Sequence, residues 1–215
     1  MDTAVITPIY NEDKITVFRC LDSIVNQSIN CDHYVYIDGK TNFNESLLSN
    51  YKNIKIFSGN VTFADSGDTP RALLATIILR QNYNHVYLLD VDNFFFHKST
   101  EMINNFSQKE NCEIVFSKRS IIDQESFWQN IQENKTFVDM NCISFHGPGI
   151  RYLKFLNYIP KELAEIDDRI LYQMIINNQL NYKYFDKVSI VYENKWGINK
   201  KKLSKKNILE KTKLL

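Results

Sequence analysis

Three carboxylates stand at the ends of apolar runs. Asp38 follows HYVYI (His33–Ile37), and Asp90 and Asp92 follow Val86–Leu89 in LLDVDN. If these runs are strands of one parallel sheet, their carboxyl ends share an edge and the three acids converge on one crevice. Two carboxylates one residue apart at a strand end suit a hard cation. Mg²⁺ takes few protein carboxylates and fills its remaining positions with water and substrate phosphates. A D-x-D pair alone arises by chance about once in a few hundred residues, so it is the position on that edge that marks Asp92 as a ligand. The plainer alternative is a solvated pair that stops the strand. In the second half, Asp167 and Asp168 are the only adjacent acids, and they open a helical run. Acids suit a helix N-terminus electrostatically, and a carboxylate aimed into the crevice from there could take a proton from an attacking hydroxyl. Successive helical residues point about 100° apart, so only one of the pair can face it. His146, in the stretch HGPG, is a further candidate for facing a bound substrate, with an ordinary loop residue as the alternative.

The elements that must carry these residues alternate along the chain. β-rich runs cover Ala4–Ile9, His33–Ile37, Ile54–Phe57, His85–Leu89 and Glu113–Phe116. Between them, Asp13–Asn26 places Val17, Phe18, Leu21, Ile24 and Val25 on one helical face. A short helix is expected over Asn44–Tyr51. Thr69-Pro70 reads as an N-cap with proline at the first helical position, ahead of Leu73, Leu74, Ile77 and Ile78. A helix near Ser99–Phe106 follows. This β-α alternation predicts an open, mostly parallel twisted sheet with helices on both faces. Downstream, Phe137–Phe145 is an expected strand, Asp168–Asn177 a helix, and Tyr182–Phe185 and Val188–Tyr192 two late strands.

Composition narrows the function classes. The 215 residues are 44% hydrophobic and 24% charged, ordinary for one globular domain, and the net charge of +1 argues against a dedicated nucleic-acid binder. That total hides an asymmetry: residues 195–215 hold eight lysines against one acid, Glu210. A solvated, fraying terminus accounts for such a run; the sharper reading is a peripheral contact with anionic membrane lipid. Cys20, Cys31, Cys112 and Cys142 lack metal-finger spacing. With no leader and no span-length apolar run read in the sequence, a cytoplasmic location is expected. The expected organisation is a single domain over 1–194 in two halves, 1–95 and 96–194, then the basic tail.

TPIYNE (Thr7–Glu12), IDG after the second strand, GDTPRA, LLDVDN and IDDR come in a fixed order. Together they resemble glycosyltransferase family 2 enzymes of the GT-A fold over about residues 3–180, closest to a bacterial subgroup. The resemblance implies that Thr7, Pro8, Tyr10 and Asn11 line the base and ribose, with Glu12 at the same loop. It implies that Asp38 accepts a hydrogen bond from a pyrimidine such as uracil and that Arg71 approaches the diphosphate or the sugar. Asp90 would contact ribose or metal, Asp92 the metal, and Asp168, which precedes Arg169, would be the catalytic base. The implied cofactor is Mg²⁺ or Mn²⁺. The implied partners are a UDP-sugar donor and a glycan, lipid-linked or other hydroxyl acceptor, joined with inversion. Two other readings stay open. A haloacid-dehalogenase-like phosphatase would want its D-x-D on the first strand rather than the fourth. A catalytically degenerate sugar-nucleotide-binding module would not need the acids intact.

Overall fold

The computed structural model describes residues 2–41, 43, 45–122, 128–131 and 138–193. The basic run 195–215, with its expected membrane contact, lies outside the described residues, as do Asn44 and Phe137 at the starts of two expected elements. No helix among the described residues is long and apolar enough to cross a membrane.

The first half follows the sequence pattern closely. Strand β1 (Thr3–Ile9) is buried at every position. Helix α1 (Lys14–Val25) starts where the Asp13 carboxylate accepts from the Thr16 amide at 2.9 Å and hydroxyl at 2.8 Å, an N-cap that satisfies orphan donors of the first turn. It buries Val17, Cys20, Leu21 and Ile24. Val25 was expected on that face but is exposed, one step of about 100° beyond Ile24 at the end of the helix. Strand β2 (Cys31–Ile37) is again buried throughout. The segment Glu45–Asn50 is 3₁₀ rather than α. Strand β3 (Ile54–Ser58) leads to helix α2 (Asp68–Ile78), whose cap is Gly67, not Thr69. Asp65 draws the start of α2 forward by accepting from the Thr69 hydroxyl at 2.5 Å and its amide at 3.3 Å. Pro70 therefore sits at the third helical position, where no intrahelical donor is needed. Leu73, expected inside, is exposed, and Ala75 takes its place beside Leu74 and Ile78.

Strand β4 (His85–Leu88) ends just before the acids. A turn closed by the Asn93 amide on the Asp90 carbonyl (2.9 Å) then starts a strand the sequence pattern gave no sign of, β5 (Asn93–Phe95). Helix α3 (Ser99–Glu110) and strands β6 (Ile114–Ile122) and β7 (Trp128–Ile131) follow. The expected strand Phe137–Phe145 is reduced to β8 (Ile143–His146), because Asp139 caps a 3₁₀ turn at Met140–Cys142. Residues Gly147–Tyr158 and Lys161–Ile166 are 3₁₀, and α4 is Asp167–Asn177. The two late runs are one strand, β9 (Tyr182–Glu193), paired in parallel with β6 across a register irregularity at Phe116–Arg119.

The nine strands of the described residues form one sheet in the order β3-β2-β1-β4-β8-β6-β9-β5, with β7 beside β6. Strands β3, β2, β1 and β4 are mutually parallel, as expected. Beyond β4 the sheet is mixed: β8 is antiparallel to both β4 and β6, while β6 and β9 run parallel. Because the chain passes from β1 to β2 on one side and returns to β4 on the other, the crevice beside β1 is a topological switch point. Strands β1, β2, β4, β6 and β9 all end at this edge, and β8 begins there.

Candidate active site

At that edge the acids gather around Arg71 from α2. Its guanidinium is 5% exposed and meets three carboxylates: Asp90 at 2.5 Å, Asp68 at 2.8 Å and Asp167 at 3.2 Å. The buried cation is held charged by these neighbours, against the cost of its burial. Burial in turn pushes the Asp68 carboxyl up to about 9, helped by its hydrogen bond to Asp167 and that group's charge. Arg71 thus ties the end of strand β4 to the N-terminus of α4.

Asp90 has both oxygens engaged, Oδ1 by Arg71 and Oδ2 by the Asn141 side-chain amide at 2.9 Å. Asp92 differs. No side chain bonds its carboxylate among the described residues, and its pKa is raised to about 7, first by burial and then by the charges of Asp90, Asp139 and Glu12. Arg19 reaches only its carbonyl, at 3.2 Å. The Tyr192 hydroxyl at the end of β9 is held protonated by burial and by the charges of Asp92, Asp139 and Asp90.

The chemistry of this donor set can be tested against a divalent cation. No group of three or more His, Cys, Asp or Glu side chains converges on a metal position among the described residues. A cage built wholly from protein is therefore not what the residues offer. Asp92, open, crowded by negative charge and protonated more readily than an ordinary carboxylate, fits a cation whose other ligands are diphosphate oxygens and water.

Asp168 belongs to the first turn of α4. Its Oδ1 accepts from the Arg169 amide at 2.6 Å, and burial followed by the charges of Asp167 and Asp139 raises its carboxyl to about 8. Asp167 is spent on Arg71 and on the Asp168 amide (2.7 Å), so Asp168 is the member of the pair with no ion-pair partner among the described residues. Asp139, itself ion-paired with Arg119, raises both Asp92 and Asp168 through its charge.

The TPIYNE segment forms the rim. Pro8 is buried against Gly67, which has φ of 86°; a Cβ there would come within 2.7 Å of the proline ring. Tyr10 is 46% exposed, and Asn11 adopts a left-handed φ of 54°. That turn lets the Glu12 carboxylate accept from the Tyr10 amide at 2.5 Å. Burial raises the Glu12 carboxyl to about 7 despite the amide, with smaller contributions from Asp90 and Asp13.

The structure brings Glu12, Arg71, Asp90, Asp92 and Asp168 into one network, and it places three other candidates apart from it. The Thr7 side chain points inside, its hydroxyl 2.8 Å from His33 Nε2. Asp38 is 1% exposed and accepts from the Phe63 and Ala64 amides at 2.7 and 3.0 Å, fixing the loop that leads to α2. His146 is at the far edge, because β8 runs opposite to β4. There it contacts His85 (Nδ1 to Nδ1, 2.8 Å) beside a cavity of about 550 Å³, so the substrate-facing role considered for it is overturned. Asp139, Asn141, Arg119 and Tyr192 were missed. Asn141 fell inside the expected strand Phe137–Phe145, and only the antiparallel direction of β8 brings it to this edge.

No protein-family model matches the sequence, and no curated protein sequence does. Among solved structures, S. aureus TarS 1-349 in complex with UDP superposes with a TM-score of 0.73 and 15% identity, over 98% of this chain and 63% of that one. The chain has the GT-A fold. The same TarS fragment in complex with UDP-GlcNAc gives a TM-score of 0.75 at 15% identity, over 95% of this chain and 62% of that one. A longer S. aureus TarS chain gives 0.72 at 16% identity, over 100% and 39%. The chain thus spans less than two thirds of the length of the TarS chains it resembles.

Proposed function

We propose that this chain transfers a sugar from a UDP-sugar to an acceptor hydroxyl, with inversion and with Mg²⁺ or Mn²⁺ at Asp92. One observation carries the reading. An open carboxylate, Asp92, and a carboxyl raised to about 8, Asp168, both feel the charge of Asp139, at the switch-point edge of a fold whose neighbours were crystallised with UDP and UDP-GlcNAc. Residues 1–95 form the donor half in this account and 96–194 the acceptor half.

Asp92 would hold the cation, which when bound supplies positive charge to the departing diphosphate. The chain's own residues do the rest. Tyr10, Asn11 and Glu12 flank the nucleotide at the rim, over the loop that Asp38 fixes. Arg71 and Asp90, locked together, face the donor as a fixed pair. Asp168 takes the proton of the acceptor hydroxyl as its oxygen attacks the anomeric carbon from the face opposite UDP, a carboxylate acting as general base. The glycosidic bond forms, the bond to UDP breaks, and the proton rests on Asp168. The acceptor is a glycan, a lipid-linked sugar or another hydroxyl compound.

Calorimetry tests the donor site. UDP should bind in the presence of Mn²⁺, more tightly than GDP, and the heat should vanish in EDTA. Equal binding of UDP and GDP would count against a pyrimidine subsite, and undiminished UDP binding in EDTA against the cation.

A further inference from the structure

We infer that Asn141 is a positioning residue that continues the β4–β8 ladder with its side chain and so clamps Asp90 in the donor site. The inference rests on the nucleotide-sugar reading for its kinetic consequence but not for its geometry. The antiparallel register pairs His85 with His146, Val86 with Phe145 and Tyr87 with Ser144. Carried three steps further, the same register sets Asp90 opposite Asn141. Backbone pairing cannot reach that far. The 3₁₀ turn at Met140–Cys142 sends the Cys142 amide back to the Asp139 carbonyl at 2.8 Å, which leaves the Asp90 amide with no strand partner.

The Asn141 side chain fills that gap. Its Oδ1 accepts from the Asp90 amide at 2.5 Å, and its Nδ2 donates to Asp90 Oδ2 at 2.9 Å and to Asp139 Oδ1 at 2.8 Å. Its own backbone amide also donates to Asp139 Oδ1, at 3.0 Å. At 5% exposure, water does not substitute freely for these bonds. The position needs one acceptor toward a backbone N–H and two donors toward two carboxylates, which a short side-chain amide supplies. Aspartate has the same shape but, ionised, only accepts, and it would face two like charges. Asp90 is thereby gripped from two sides, by Arg71 on Oδ1 and Asn141 on Oδ2. Its carboxylate cannot swing toward Asp92, which stays the open ligand.

The test uses Asn141→Ala and the shape-preserving Asn141→Asp, each compared with wild type per folded molecule. Residues that orient the groups in direct contact with a ligand typically cost about 10–100-fold when lost. Both variants should lower kcat/KM for the UDP-sugar by that amount, with a raised donor KM and an unchanged acceptor KM, and Asn141→Asp should do no better than Asn141→Ala. Amide hydrogen exchange gives a second readout that does not depend on the reaction. The Asp90 N–H should exchange at least ~10-fold faster in Asn141→Ala than in wild type. A residue that only fills space would leave Asn141→Asp near wild-type kinetics. That result, or unchanged exchange at Asp90, would overturn the clamp. If wild type shows no transfer while Asp90 exchange still responds to Asn141→Ala, the clamp stands and the nucleotide-sugar reading fails.

Discussion

Asp168→Asn should lower turnover by about 10² to 10⁴ while leaving UDP affinity nearly unchanged, because it keeps the shape of the site and removes only the proton acceptor. The raised carboxyl makes a second expectation specific. With a pKa of about 8, Asp168 is mostly protonated at neutral pH, and its base form grows as pH rises. With donor and cation saturating, wild-type kcat should therefore climb about tenfold per pH unit below 8 and flatten above it, and the Asn variant should lose that limb. Steady-state kinetics from pH 6 to 9 read both. If Asp168→Asn keeps near-wild-type turnover and Asp167→Asn is dead, the base is Asp167. The geometry speaks against that outcome, since Asp167 is held by Arg71.

Asp92→Ala should weaken cation-dependent UDP binding by more than ~100-fold, beyond what loss of an orienting neighbour costs. The isosteric Asp92→Asn should do the same and also stabilise the protein at pH 8. In the folded chain this carboxyl titrates near 7, against 3.8 when unperturbed. The folded state thus holds the proton more tightly than the unfolded state. The stability this contributes is full below about pH 4 and is lost as pH rises through 7. Removing the charge should raise Tm at pH 8 by about 2–5 °C and change little at pH 4. Loss of binding together with a gain of Tm marks a residue kept for function at a cost to the fold. An Asp92→Asn protein that binds UDP with Mn²⁺ as wild type does would remove Asp92 from the account.

The parts of this site legible in the sequence are those built on local rules. Buried parallel strands write continuous apolar runs, so β1, β2 and β4 and the acids that end β2 and β4 could be read directly. Asp167 and Asp168 were visible because charge collects at a helix start. The hidden parts depend on pairing across the chain. β5 is three residues long and has no periodicity to detect. Asp38 sits at a strand end, as read, yet its oxygens are taken by a loop more than twenty residues away. Asn141 acquires its role only because β8 runs antiparallel to β4, and the same reversal carries His146 to the opposite edge. Strand direction in the second half thus decides which polar residues reach the crevice, and nothing local in the sequence encodes it.

The central claim is transfer from a nucleotide sugar, and product analysis tests it most directly. The protein is incubated with a panel of UDP-sugars, Mn²⁺ and hydroxyl acceptors. Released UDP is quantified, and the anomeric configuration of the product is read by NMR. UDP release is expected with at least one donor, with an inverted product, no turnover in EDTA and recovery when Mn²⁺ is restored. Retained configuration would contradict a single displacement driven by Asp168. No UDP from any donor, even slowly with water as the acceptor, would contradict the account as a whole.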